Sequence, residues 1–419
     1  MSAETDVAVI GAGIVGLSTA FALTEQGASV TVYERGVPGG SQSGGESRIF
    51  RHAHDDRRLV EFACEARAAW REWEERFGRE LLSRDGVVAI GPAVERRLAV
   101  LLDAGGVRAS MIDSDELAER LPLLARWPGA AMLDEDGGVI RARATVEELT
   151  SALRERLRFE EVLSVRATSG GTVEVRGGGV TLEYASVVLC AGRGTVALAR
   201  GAGLPLPVRQ SVHVRLTYPV RGEPPARVSC LLDNSGAFGE PAAYGDALPG
   251  NDSYAVGLDE TPIYEDGSLL DAAGLSDAAR RTTEYVGRAL PGLAPEPIDV
   301  RHCWVTELPW SVDGIAAWRA GGLIAVAGNN LFKHAPVLGR ALARAALGER
   351  LAPNLQPEAK LGAQRVRPRP GGLRVQDQPV GAEGEEQREQ GPGQRPADRA
   401  QERGLPVAEE EDVDEDGQQ

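Results

Sequence analysis

Val7-Ala8-Val9-Ile10 is an unbroken apolar run that ends on a glycine turn, and Val30-Thr31-Val32-Tyr33 is a second. Short apolar runs bounded by glycine read as buried parallel strands, so residues 5–34 predict a β-α-β unit. The same kind of strand recurs at 187–192 (Val-Val-Leu-Cys-Ala-Gly) and at Leu323–Ala327, the latter leading into a helix from about Ala335 to Leu347. Between these returns the periodicity changes. Phe62, Ala66, Trp70, Trp73 and Phe77 fall on one face of a helix over Leu59–Phe77, with the tryptophans in the core. Short strands fill Gly86–Ile140, with a helix near Ser114–Arg120 capped by Ser114 or Asp115. Thr145–Leu157 reads as an amphipathic helix, and Val173–Val175 with Val180–Tyr184 as a hairpin around Gly177–Gly179. Residues 208–303 alternate strands with Gly/Pro/Asp turns, plus a helix near Ala272–Ala289.

The first turn carries recognisable chemistry. Gly11, Gly13 and Gly16 form G-x-G-x-x-G directly after the first strand, and Glu34 closes the second. Gly11 permits the sharp turn, Gly13 lets backbone N–H groups approach a pyrophosphate, and Gly16 lets the helix pack against the sheet. The helix N-terminus favours phosphate, and Glu34 can accept hydrogen bonds from a ribose. The motif alone leaves FAD and NAD open. A nucleotide-binding sheet interrupted by strand-rich insertions favours a flavoprotein over a simple NAD-dependent dehydrogenase.

The expected fold class is therefore α/β. A Rossmann-like FAD-binding domain (1–84, 141–209 and 304–351) is interleaved with an α+β substrate domain on a mixed sheet (85–140 and 210–303). Residues 352–419 are expected to be a disordered tail, because that stretch is rich in Gln, Glu, Gly, Pro and Arg and has no aromatic residue.

Composition narrows the partners. Of the net charge of −16, about −10 lies between Gln376 and Gln419, where 14 acidic residues face 4 arginines. The remainder is mildly acidic, which points away from nucleic acid. No apolar run is long enough to span a bilayer. A strand beginning by Asp6 leaves no room for a secretory signal. Cys64, Cys190, Cys230 and Cys303 are too far apart for a metal or redox motif, as expected of a cytoplasmic protein. Lys333 and Lys360 are the only lysines beside 44 arginines, so any ammonium group in the folded body falls to Lys333.

Three stretches carry a family resemblance: Gly40-Ser41-Gln42-Ser43-Gly44-Gly45-Glu46-Ser47-Arg48-Ile49-Phe50-Arg51-His52-Ala53; the isolated Cys303 in His302-Cys303-Trp304-Val305-Thr306; and Ala327-Gly328 to Lys333, followed by a helix containing Gly339. Over roughly residues 5–350 the chain resembles the monomeric sarcosine oxidase and N-methyltryptophan oxidase group of the D-amino-acid-oxidase-like FAD-dependent oxidoreductases. The resemblance implies oxidation of the C–N bond of a small secondary or cyclic amino acid to an imine. A hydride passes to flavin N5, and reoxidation by O2 gives H2O2. It implies that Arg51 and Lys333 hold the substrate carboxylate, a task suited to the planar fork of arginine. Arg48 lies near the flavin ring, and Asn330 can hydrogen-bond the substrate. Lys333, placed just before a helix N-terminus, also stabilises negative charge on the reduced flavin. Gly11, Gly13, Gly16, Glu34, Arg35, Ser41, Ser47, Arg48, Gly192, Cys303, Gly328 and Lys333 are the expected cofactor contacts, with Cys303 matching the cysteine that carries FAD through an 8α-thioether. The other cysteines read as structural, and the enzyme as a monomer.

Two positions depart from the group. Asn330 stands where a histidine is common. Ala255 falls where the group places its oxygen-activating lysine, which puts fast use of O2 in question. An arginine in its stead or another electron acceptor, as in a dehydrogenase, answers that departure. A flavin-binding protein without turnover, docking through its acidic tail, is the alternative from outside enzymology. His52 and His54 lie in the carboxylate-binding loop with either a structural or a site role open to them.

Overall fold

A computed structural model describes residues 6–259, 263–264 and 271–363. The three returns of the chain meet in one six-stranded sheet. Its order is Ile315–Ala320, Leu323–Gly328, Ser186–Leu189, Asp6–Ile10, Ser29–Glu34 and Leu157–Phe159. All neighbours are parallel except Ile315–Ala320, which runs antiparallel at one edge. The helix Ile14–Glu25 is buried from Ile14 to Leu23, which is why it is apolar all round rather than striped. The helix Leu331–Ala346 crosses it, and a Cβ at Gly339 would stand 2.6 Å from the carbonyl carbon of Ser18. Trp70 and Trp73 belong to the same core, as expected.

A nine-stranded sheet forms the second layer, built around the long strand Arg209–Pro219, which pairs with Ser253–Leu258 and Asp299–Glu307. Alternation along Arg209–Pro219 divides two environments. Val214, Leu216 and Tyr218 pack in an apolar core with Tyr285 and Val286 of the helix Ala272–Ala289. His213 and Arg215 face the opposite way, into a large cavity. The smaller sheet at 164–184 contains the expected hairpin, Val173–Arg176 with Thr181–Tyr184.

Several expectations shift. The helix expected over Thr145–Leu157 is Ala142–Ala152 followed by a 3-10 turn, and Leu157 opens a strand on the edge of the central sheet. The helix at Ser114–Arg120 is capped by neither Ser114 nor Asp115; the Asp113 carboxylate accepts from the N–H groups of Asp115 and Glu116 at 3.0 and 2.9 Å. The domain boundaries expected at 209/210 and 303/304 fall inside strands. Residues 352–363 are not part of a disordered tail. Leu355 and Leu361 are fully buried, Ile315 bridges Leu361, and Arg58 donates to the carbonyls of Ala359 and Lys360. Two leucines sufficed to bring this polar stretch onto the core. The rest of the tail, 364–419, lies outside the described residues. No helix among the described residues is long and apolar enough to cross a membrane.

The helix crossing gives a direct test. Alanine at a mid-helix glycine normally gains up to about 1 kcal/mol from propensity, but at Gly339 the obstacle is backbone that cannot step aside. Gly339→Ala is expected to lose roughly 1–3 kcal/mol net, seen as a lower calorimetric melting temperature; an unchanged melting temperature would refute the close crossing.

Candidate active site

The nucleotide turn is built as the motif requires. Gly11 holds φ +101°, and a Cβ there would lie 2.6 Å from the Cys190 carbonyl oxygen; a Cβ at Gly16 would lie 1.8 Å from the Gly11 oxygen. No other residue fits either position without moving backbone. The helix that follows has no side-chain cap from Gly13, while Ser43 Oγ accepts from Ile14 N–H at 2.9 Å. Glu34 is fixed by its own turn: its carboxylate accepts from Ala12 N–H at 2.8 Å and Gly36 N–H at 2.9 Å.

This turn opens onto a cavity of about 620 Å³. Its wall includes Gly11, Gly13, Glu34, Arg35, Ser41, Arg48, Arg51, Gly192, Cys303, Gly328, Asn330 and Lys333. Of the expected site residues, Gly16 and Ser47 stand behind the wall rather than in it. Gly16 packs helix on turn. Ser47 Oγ donates to Asp246 at 2.9 Å and accepts from Arg215 at 3.0 Å. The cradle that a Cβ would block, the helix N-terminus and the acidic end of the second strand, all on one wall, fit a bound dinucleotide.

Arg51 and Lys333 come together at the far end of the chain's path. Arg51 follows the strand Ser47–Phe50; Lys333 lies in the first turn of Leu331–Ala346. That helix starts four residues earlier than expected and tolerates Pro336 inside it, so Lys333 is on the helix rather than before it. Asp313, from the turn before the edge strand, joins them. Arg51 Nη2 donates to Asp313 Oδ2 at 2.9 Å, Asn330 Nδ2 donates to Asp313 Oδ1 at 2.6 Å, and His54 Nδ1 lies 3.0 Å from Asp313 Oδ2. His54 Nε2 is 2.8 Å from Lys333 Nζ. Arg51 also donates to the Ala53 carbonyl, and Trp70 Nε1 donates to the Lys333 carbonyl at 2.8 Å. His52 does a different job. Its ring and backbone N–H both engage Asp134, at 3.0 and 2.7 Å, and pin the loop in place.

Electrostatics in this cluster follow from burial. Lys333 is 2% exposed. Burial pulls its amine well below the usual lysine range, Arg51 adds to the effect, and Asp313 and Asp134 oppose it. Burial, then Lys333 and Arg51, likewise hold the His54 and His334 rings well below the ordinary histidine range, His54 itself adding to the effect on His334. Burial alone would push the Asp313 carboxyl up, but Arg51, His54 and Lys333 together hold it well below the usual carboxylate range. Within this cluster at rest, the Asp313 carboxylate is the anion that faces the Arg51 guanidinium.

A second buried cation was not foreseen. Arg215 lies in the wall, donates to Asp246 and to the Ser47 carbonyl and hydroxyl, and leaves its Nε without a partner. Burial opposes its charge, yet Asp246 more than restores it and the pKa is raised. Arg48 sits nearby, donating to the carbonyls of Gln42, Gly44 and Ser47, with its guanidinium 5.9 Å from the Phe332 ring centroid. A signal for Arg215 existed in the sequence: polar Ser211, His213, Arg215 and Thr217 alternate with apolar Val212, Val214 and Leu216 along one strand. Asp313 carried no such mark.

The cysteines separate by position. Cys303, half-buried on the strand Asp299–Glu307 opposite His213, lies in the wall. Cys190 also touches it, but burial pushes its thiol up to about 12, opposed by Thr19. Cys64 and Cys230 lie outside the wall, and all four are free thiols.

Fold and cavity define a dinucleotide-binding oxidoreductase with a cationic pocket beside the nucleotide turn. The chain belongs to the FAD dependent oxidoreductase (DAO) family, which matches residues 6–345. It is 26% identical over 330 residues to human peroxisomal sarcosine oxidase, covering 73% of this chain and 81% of that one. Among solved structures it superimposes on NikD, an amino acid oxidase of nikkomycin biosynthesis, with TM-score 0.73 and 22% identity, covering 86% of this chain and 98% of the other. L-proline dehydrogenase from P. horikoshii superimposes with TM-score 0.73 and 18% identity, covering 86% and 99%.

Burying Lys333 has a thermodynamic signature. Its amine is ordinary in the unfolded chain and depressed in the fold, so folding expels a proton below the unfolded pKa of about 10.4. The cost grows as pH falls from there towards the folded value. Lys333→Met removes the cost and is expected to stabilise the protein by on the order of 1–2 kcal/mol at pH 7 and by less at pH 10. Thermal unfolding at the two pH values checks this; a variant less stable than the parent at pH 7 would contradict it.

Proposed function

We propose that this chain oxidises the C–N bond of a small secondary or cyclic amino acid, of sarcosine, N-methyl or imino-acid type, to an imine, with FAD as cofactor and O2 as electron acceptor. The observation that carries the reading is that Arg51 and Lys333, 282 positions apart in sequence, line the same cavity as the nucleotide turn and are linked to each other through Asp313 and His54. The names of related proteins, sarcosine oxidase and amino acid oxidase, agree with it.

Gly11, Gly13, Glu34, Arg35, Ser41, Gly192 and Gly328 would hold the dinucleotide, with Arg48 near its ring. Bound FAD supplies a two-electron acceptor for the substrate hydride and passes the electrons to O2, giving H2O2. The protein's part is to orient and polarise. Arg51 offers a carboxylate its planar fork, and Lys333 a second basic group. Asn330, beside Asp313, lines the same wall. A substrate held there loses its hydration, which strengthens each of these interactions. Cys303 is the thiol suited to tether FAD, since Cys190 is strongly disfavoured as a thiolate and the other two lie elsewhere.

Arg215 bears on the choice of acceptor. Ala255 carries no charge, but Arg215 projects from the strand next to it onto the same face of the sheet, where Thr217 and Asp246 lie opposite Ala255. A fixed buried cation there favours reduction of O2 by stabilising negative charge as it forms. The reading with a different acceptor rests on Ala255 itself and on the likeness to L-proline dehydrogenase.

Purified protein is expected to be yellow and, after acid precipitation, to keep its colour in the pellet; Cys303→Ala should release it to the supernatant. Sarcosine, N-methyl and cyclic amino acids should bleach the flavin anaerobically and yield peroxide in air. Arg51→Ala should raise KM roughly 10- to 100-fold through loss of charged hydrogen bonds. A colourless protein, or a yellow one that no amino acid bleaches, would defeat the proposal, and dye reduction without peroxide would favour the other acceptor.

A further inference from the structure

The contacts of His54 fix its tautomer. Two groups face His54 Nδ1, Asp313 Oδ2 at 3.0 Å and Arg51 Nη1 at 3.4 Å; the shorter contact is to an ionised carboxylate that can only accept, and it assigns the Nδ1 proton. The neutral ring then has a lone pair on Nε2, and Lys333 Nζ donates to it across 2.8 Å. Asp313 is held in turn by Arg51 on Oδ2 and Asn330 on Oδ1. The result is an ordered chain, Asp313–His54–Lys333, whose last member lies in the cavity wall.

Charge counting says what that last member is for. The groups that face Lys333 are Arg51 and His54 from the early loop, Asp313 from the turn, and His334 from its own helix, with Asp134 acting from further away. Arg51 and Asp313 cancel within this cluster, and in the same cavity wall Arg215 is paired with Asp246 while Arg48 donates only to carbonyls and adds positive charge. A protonated Lys333 would leave the buried pocket with an excess positive charge, which a low-dielectric site disfavours. A substrate carboxylate changes the sum: two anions then face Arg51, and a protonated Lys333 restores balance. An amino acid in water brings both the carboxylate and a spare proton, on its ammonium group. That proton must leave before the C–N bond can be oxidised, since the nitrogen lone pair is needed to form the imine.

Resting on the reading above, we propose that Lys333, aligned by His54 and Asp313, is the proton acceptor for the substrate's ammonium group, and that docking of the substrate's carboxylate on Arg51 is what enables it to accept. The proton moves from R2NH2+ to the Lys333 amine, leaving R2NH and Lys-NH3+; no electrons move, and the charge of the complex is unchanged. When the product leaves with its carboxylate, Lys333 loses its counter-anion and returns the proton to solvent. His54 and Asp313 are positioning residues, holding the Lys333 amine by one hydrogen bond so that its lone pair is turned elsewhere.

The proposal separates two kinds of ligand. A carboxylate with no ionisable ammonium must draw the missing proton from solution. Titration calorimetry of pyrrole-2-carboxylate into oxidised holoenzyme at pH 8, in phosphate and in Tris, is expected to show uptake of about one proton per ligand bound. Lys333→Arg, with its fixed charge, should bind the same ligand with no uptake, and Lys333→Met should bind it weakly, also with no uptake. His54→Phe should displace the pH midpoint of pyrrole-2-carboxylate affinity by roughly half a unit or more, with the visible spectrum of the bound flavin unchanged. Binding without proton uptake in the parent protein overturns the proton-acceptor role and leaves the amino-acid oxidase reading standing. Absence of binding to flavin-loaded protein overturns both. An unmoved midpoint in His54→Phe removes His54 and Asp313 from the device.

Discussion

A single carboxylate shared among basic groups organises the site. Asp313 accepts from Arg51, His54 and Asn330, and through His54 it reaches Lys333. Three stretches of chain are tied at this one point: the loop holding Arg51 and His54, the turn before the edge strand, and the start of the last helix with its N-cap Asn330. Removing one partner of a buried charge pair commonly costs about 3–5 kcal/mol. This cluster is partly open to the cavity, so its worth is smaller, but its geometric effect is undiminished. It holds two basic side chains in one wall, with Asp313 opposing the effect of Arg51 on Lys333.

The surrounding fold makes that arrangement possible by stacking two sheets of different character. The central, mostly parallel sheet, packed against the buried helix Ile14–Glu25, supplies the rigid nucleotide turn. The mixed sheet has one face in its own core and sends the alternate residues, His213 and Arg215, toward the cavity. Gly339 lets the last helix lie close on the first, so the position of Lys333 is set by backbone packing against the nucleotide-binding unit rather than by a flexible loop. His52, locked on Asp134, does the same for Arg51 from the other side. Site geometry is therefore inherited from the two cores.

How much of this was legible depended on whether the information was local. The G-x-G-x-x-G turn, the returns to the sheet and the helix Ala272–Ala289 are written in consecutive residues, and the sequence reading placed them. Arg51, Lys333, Arg48 and Cys303 entered through a family resemblance, and the structure brings all four to one cavity wall. Residues defined by tertiary contact were not readable. Asp313 is an ordinary aspartate in a turn until folding puts Arg51 beside it. Leu355 and Leu361 look like stray leucines in a polar tail until Ile315 and Trp310 meet them. His54 had a site role and a structural role equally open; contacts from two other segments decide that it touches both Asp313 and Lys333. The start of the last helix was misplaced because Pro336 argues locally against a helix that packing nonetheless sustains.

Ala255 carries no charge, and the basic side chain on its face of the sheet comes from the neighbouring strand. Ala255, Thr217 and Asp246 share one face across three adjacent strands, and Arg215 and Tyr244 flank Gly257 one step along. A long side chain from any of these positions reaches the same volume. Arginine there must be neutralised or it could not be buried, and Asp246 with Ser47 does this while leaving Nε unpaired. A lysine with its single compact ammonium would titrate in such a setting, whereas a guanidinium stays charged and can serve several acceptors at once. Arg215 is therefore a directional cation already anchored by Asp246 and Ser47. Of its five N–H donors, three are used on Ser47 and Asp246, and the buried Nε has no partner in the protein.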